Sequence, residues 1–155
     1  YKGKYTIPLS EANLSSQDLF DDERIGATLV VYPQPLGFQA EYNIGKGPEF
    51  NPSTMRTELQ NLKGGYAQVM YRMQKNKHSF MPFVKYQYYD GGKKFETDAR
   101  SYLVSDTEIG VEWQFNRYFE LVALYMISDR TFEDGLKPVN SVKGNTVRFQ
   151  LQLNY

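Results

Sequence analysis

His78 is the only histidine among 155 residues, and there is no cysteine. The side chains that most often move protons or bind transition metals are therefore almost missing. A single imidazole in the turn-like string Lys75-Asn76-Lys77-His78 builds no ordinary metal site and leaves no Ser-His-Asp set to assemble. Asp18, Asp21, Asp22 and Glu23 could hold a divalent cation through carboxylate oxygens, but a charge run in a loop is more often a solvated surface, and no cation is assigned there. Gly45-Lys46-Gly47 lacks the Gly-Lys-Ser/Thr ending of a phosphate loop and reads as a turn. With no nucleophile, base and orienting group together, no enzyme, metal or cofactor is expected.

What remains is a set of polar side chains at alternate positions: Gln39, Glu41, Gln68, Arg72, Lys85, Gln87, Glu108, Glu112, Glu120, Arg148, Gln150 and Gln152, with Lys2 and Lys4 before them. Their spacing of two is the period of a β-strand. It is cleanest over 146–155, where Val147, Phe149, Leu151, Leu153 and Tyr155 interleave with Thr146, Arg148, Gln150, Gln152 and Asn154. The same pattern recurs over 106–115, 37–44 and 65–73. Less regular strands are expected at 2–7, 25–32, 80–89 and 118–127, for eight in all. Pro82 lacks the donor that a central strand needs, so a bulge is expected there. The inward face of 118–127 reads Glu120, Val122, Leu124, Met126, which is mostly apolar.

Connections alternate between short (33–36, 74–79, 116–117) and long, polar ones (8–24, 45–64, 90–105, 128–145). This is the rhythm of an antiparallel barrel with short turns on one side and long loops on the other. Within 45–64, Asn51-Pro52 followed by Met55, Leu59 and Leu62 and stopped by Gly64-Gly65 predicts a short helix.

The balance of 18 basic and 18 acidic residues argues against a nucleic-acid binder. No run of about 18 apolar residues exists, so a transmembrane helix is excluded. Thirteen Tyr and ten Phe suit a membrane–water boundary, and a barrel escapes hydropathy because only alternate residues face lipid. A buried Arg or Lys on the lipid face costs about 2 to 4 kcal/mol at the midplane. Arg72, Lys85, Glu112 and Arg148 are therefore expected to point inward, and the polar set becomes a list of pore-lining candidates. The expected class is an all-β antiparallel transmembrane barrel, about eight strands, occupying 1–155 as one domain. Residue 1 is expected to be a processed or truncated start, and Tyr155 the true C-terminus.

The stretches 82–100, Glu108-Ile-Gly-Val-Glu-Trp-Gln114, Phe119-Glu-Leu-Val-Ala123 and Gly64-Gly-Tyr-Ala-Gln68 after Gly47-Pro-Glu49 together resemble porins of the phosphate-selective O and P family. The resemblance runs from about residue 37 onward. It implies that these strands are the C-terminal half of a sixteen-stranded, trimeric porin of the Gram-negative outer membrane. Implied with it are the lipid bilayer and lipopolysaccharide as partners, and passive diffusion of small hydrophilic solutes or anions, phosphate among them, through a water-filled channel. Family members known for anion uptake use an arginine ladder and a lysine cluster. This chain supplies scattered Arg72, Lys85 and Arg148 amid Glu41, Glu108 and Glu112.

Two other readings stand beside the channel. One is an eight-stranded closed outer-membrane barrel acting structurally, adhesively or as a sensor through its long loops. The other is a soluble ligand-binding β-barrel, against which the aromatics Tyr32, Phe38, Trp113, Phe115, Tyr118 and Tyr155 near strand ends argue.

Overall fold

In the computed structural model, residues 1–14, 17–134 and 139–153 are described. They form one antiparallel sheet of nine strands: β1 (Lys2–Thr6), β2 (Leu19–Val31), β3 (Leu36–Asn51), β4 (Arg56–Tyr71), β5 (Met73–Lys75), β6 (His78–Gly92), β7 (Ser101–Gln114), β8 (Phe119–Phe132) and β9 (Asn140–Leu153). Their order is β1-β2-β3-β4-β6-β7-β8-β9, with β5 beside β6. A single 3-10 turn, Thr97–Ala99, interrupts the β6–β7 connection.

The sheet is open. β1 and β9 stand at its two ends and do not pair, so the expected closed transmembrane barrel is not what this chain forms. Closure needs the first and last strands to share a ladder. Here the first has five residues and the last fourteen. The water-filled channel expected of these residues falls with the barrel, because a sheet with two free edges encloses no lumen. The alternatives of a closed eight-stranded barrel and a soluble ligand barrel fall for the same reason. The bilayer, lipopolysaccharide and homotrimer partners rested on closure and insertion and are withdrawn. No helix among the described residues is long and apolar enough to cross a membrane, which says nothing about strands.

Strand positions follow the period-two reading, but the strands run further than expected. Residues 45–51 and 56–64, expected as loop and helix, instead continue β3 and β4 into a long hairpin closed by the turn at 52–55. Asn51 does not cap a helix: its Oδ1 accepts the Ser53 N–H at 3.0 Å, and Met55 takes a φ of 54°. Local turn chemistry and the pairing of sixteen residues on each side outweigh the helical spacing of Met55, Leu59 and Leu62. Pro82 makes no bulge either. β4 ends at Tyr71, β5 starts at Met73, and both keep the same register on β6, with Met70 opposite Phe83 and Met73 opposite Phe80. The ladder merely lapses where proline offers no donor, and the Arg72 N–H donates to the Pro35 carbonyl at 2.7 Å instead. Asn154 and Tyr155 lie outside the described residues.

Register sorts the two faces. One row across seven strands reads Val31, Phe38, Val69, Val84, Ile109, Tyr125, Val147, and the next reads Val30, Gln39, Gln68, Lys85, Glu108, Met126, Thr146. Directly opposed residues share a face, so the apolar row and the mostly polar row lie on opposite sides of the sheet. The apolar side is the exposed one, with Val84 and Ile109 each about half accessible (50% and 52%). The buried hydrophobic cluster is small, Ile7, Phe20 and Ala99, and lies at the loop end rather than along the strands.

Candidate functional site

The polar face is built by pairing alone. Gln39, Gln68, Lys85 and Glu108 fall in one row on β3, β4, β6 and β7. The Lys85 Nζ lies 3.9 Å from a Glu108 carboxylate oxygen and 5.4 Å from the Tyr66 ring centroid. Opposite charges on neighbouring strands thus meet on this face. The next row holds Glu41, Tyr66, Gln87, Asp106 and Ser128. Glu41 accepts a hydrogen bond from Asn43 Nδ2 at 2.7 Å. Asp106 is buried, accepts from the Ser128 hydroxyl, and sits 3.8 Å from Arg130.

Toward the turn end, Glu112 lies opposite Val122 and Val122 opposite Gln150, while Glu120 lies between Gln114 and Gln152. Leu124 faces Arg148, so the apolar stretch Val122–Leu124–Met126 occupies polar-face positions beside Gln150, Arg148 and Thr146. Arg148, Gln150 and Gln152 are exposed on the edge strand. Arg72 joins none of these rows: it lies between β4 and β5 and is exposed.

A second constellation stands at the loop end. Phe20, Asp22 and Arg24 share the face of Thr28, which is opposite Glu41. Two connecting segments come in against this side. The segment after β6 brings Lys94, which donates to the nearly inaccessible Asp22 carboxylate (2% exposed), alongside the Arg24 Nε at 3.1 Å. The same segment brings Asp98, whose carboxylate accepts from Ser10 N–H at 2.7 Å, Ser10 Oγ–H at 2.6 Å, Asn13 Nδ2–H at 3.0 Å and Arg100 Nη2–H at 2.8 Å. Arg100 also donates to Glu133 at 2.5 Å and stacks 3.8 Å over Phe50.

The charges here are held by these partners. Burial works to raise the Asp98 pKa, but the Ser10, Asn13 and Arg100 donors outweigh it, and the carboxyl lies below its ordinary range. Asp22 is depressed in the same way, burial being overcome by Lys94 and Arg24. Glu49 goes the other way: burial raises it, the Ser101 hydrogen bond opposes, and the charges of Asp90 and Glu133 add to the rise.

The acidic run noted in the sequence does not converge on a cation. Asp22 is taken by Lys94 and Arg24, Glu23 by Lys2 at 2.5 Å, and Asp21 and Asp22 point to opposite faces. Among the described residues no group of three or more His, Asp or Glu could hold a metal ion. His78 has a partner of its own. Its Nδ1 accepts the Trp113 indole N–H at 3.4 Å, within an aromatic chain that continues through Phe80, Phe115 and Phe119. Sequence reasoning missed Asp98, Arg100 and Lys94 because each acts over a large separation, 72 residues for Lys94 and Asp22 and 88 for Ser10 and Asp98.

The family model described as phosphate-selective porin O and P matches residues 9–155. No curated protein and no solved structure matches the chain.

Proposed function

Since the chain belongs to the phosphate-selective porin O and P family, and is on that ground an outer-membrane-related, non-enzymatic protein, we propose that it is localised to the bacterial outer membrane. There its polar face acts as a solute-contacting surface. Gln39, Gln68, Lys85 and Glu108, with Glu41, Gln87, Glu112, Glu120, Arg148, Gln150 and Gln152 around them, offer amides and charges of both signs to water and small hydrophilic solutes. Arg72, at the turn end, extends that surface rather than lining it. No channel is assigned to this chain.

The observation that carries this reading is the adjacent pair of rows on one sheet: Val31, Phe38, Val69, Val84, Ile109, Tyr125, Val147 on one side, and Gln39, Gln68, Lys85, Glu108 on the other. Placing Lys85 and Glu108 away from water would cost several kcal/mol, of order 2 to 4 for the lysine alone on a membrane scale. An apolar row exposed over seven strands is costly in water for the opposite reason, at about 25 cal/mol per Å². The two faces therefore require different surroundings.

The chain has no cysteine, so single-cysteine labelling in whole cells is a clean test. Gln39→Cys and Gln68→Cys should react with charged, membrane-impermeant thiol reagents of either sign. The protein should fractionate with the outer membrane. Failure of these cysteines to label, or recovery in the soluble fraction, would overturn the proposal.

A further inference from the structure

We propose that residues 93–100 and 7–14 form a latched lid over the loop end of the polar face, with the Asp98 carboxylate as its bolt. Three observations carry this. The first is burial where an open sheet should have none. Along the polar side of β7, Glu108, Gly110 and Glu112 are only partly buried, but Val104 and Asp106 are 6% and 5% exposed. Val104 and Asp106 line a groove with Lys94, Phe95 and Glu96, so the segment after β6 stands over this end, beside the Ser128 and Arg130 side chains that contact Asp106.

The second is that one side chain ties both segments at once. Asp98 takes three of its four side-chain hydrogen bonds from Ser10 and Asn13. Its backbone N–H donates to the Pro8 carbonyl at 2.8 Å, and its carbonyl accepts the Thr57 hydroxyl at 2.9 Å. The bolt thus joins the segment after β6 to the segment after β1 and to the start of β4. Beneath it lie Ile7, Phe20 and Ala99, each 3% exposed or less.

The third is backbone geometry. Asp98 has φ 66° and Ala99 φ 51°, a left-handed pair that non-glycine residues adopt at a cost. Such a pair persists only where surrounding bonds over-determine it, and here six hydrogen bonds meet at Asp98 while the Ala99 N–H donates to the Glu96 carbonyl at 3.2 Å. The ion pair of Lys93 with Glu96 is local to the segment, and Lys93 otherwise lies over the Tyr102 and Phe132 rings of β7 and β8, not against the segment after β1. The Lys94–Asp22 contact reaches β2 but not the segment after β1. Among the described residues, the polar ties between the two segments meet at Asp98, above the packing of Ile7 against Ala99.

The test reads access to the covered end. In purified protein, Val104→Cys should react slowly with a water-soluble charged thiol reagent, and adding Asp98→Ala should speed it by about tenfold or more, the loss of several charge-assisted hydrogen bonds. Ser10→Ala should give a smaller increase. Gln68→Cys, on the same face at mid-sheet, should react at the same rate with and without Asp98→Ala. Hydrogen exchange over 7–14 and 93–100 should accelerate together. The proposal fails if Asp98→Ala leaves Val104→Cys unreactive, if Gln68→Cys accelerates equally, or if the two segments lose protection independently.

Discussion

Lys94 and Asp22 are in direct contact although 72 residues separate them in the chain, and the strands that carry them to one another, β6 and β2, are separated in the sheet by β3 and β4. The contact is therefore a chord across the polar side, not a neighbour pair on a ladder. Replacing Lys94 by Ala leaves Asp22 with Arg24 alone. A loss of about 1 to 2 kcal/mol is expected, read by denaturant unfolding, with faster hydrogen exchange over 93–100. Exchange unchanged there would mean that the contact holds nothing down.

Acid should weaken the loop end. Asp98 and Asp22 both have depressed pKa values, because donors outweigh the effect of burial. Their contribution to stability is present above the ordinary carboxylate pKa and is lost as pH falls through the lower, folded value. Denaturant midpoints measured from pH 7 downward should hold until about pH 4 and then drop. Asp98→Asn should lie lower at pH 7 and flatten that drop.

Glu49 carries the opposite sign. Burial, with Asp90 and Glu133 nearby, raises its pKa against the Ser101 hydrogen bond. A carboxyl raised by folding contributes below its ordinary pKa and ceases to as pH rises through the folded value. Glu49→Gln should stabilise the protein at pH 7, by a few degrees in Tm at about 1 kcal/mol, and should be neutral near pH 4. A loss of stability at pH 7 would contradict the assignment.

Two glycines should answer differently to alanine. A Cβ on Gly65 would sit 2.1 Å from the Glu41 carbonyl oxygen and 2.9 Å from Tyr42 Cα, both backbone atoms of the neighbouring strand. Gly65→Ala should cost about 1 to 3 kcal/mol by forcing β3 and β4 apart. Gly144 on β9 has nothing within 4 Å of its added Cβ, so Gly144→Ala should be neutral or stabilise by about 0.5 kcal/mol. Urea unfolding of the two variants measures both.

Trp113 is the only tryptophan, and it stacks on Phe80 with centroids 5.5 Å apart while donating to His78. His78→Ala removes the indole acceptor, and Phe80→Ala removes a stacked pair worth about 0.5 to 1.5 kcal/mol. Both should shift Trp113 fluorescence, with Phe80→Ala alone producing a measurable loss of stability. An unchanged spectrum in His78→Ala would show that the indole N–H is satisfied elsewhere.

Alternation alone determined where the central parts of the strands lie and which side each residue there faces. Gln39, Gln68, Lys85 and Glu108 could be placed on one face before any pairing was known, because a strand's side chains repeat every two residues. The same local pattern says nothing about whether the first and last strands meet, and closure is where the expectation of a barrel gave way to a nine-stranded open sheet. It also misplaced 45–64, since helical spacing at Met55, Leu59 and Leu62 is a local preference and the β3–β4 ladder is a pairing.

The loop end was illegible for a related reason. Asp98, Arg100 and Lys94 look like ordinary loop charges, and only the fold brings Ser10, Asn13 and Asp22 to them from the β1–β2 end of the sheet. Periodicity is written between adjacent residues and survives in any window of the chain. Hydrogen bonds across 70 to 90 residues are set by strand order and register, which no window contains.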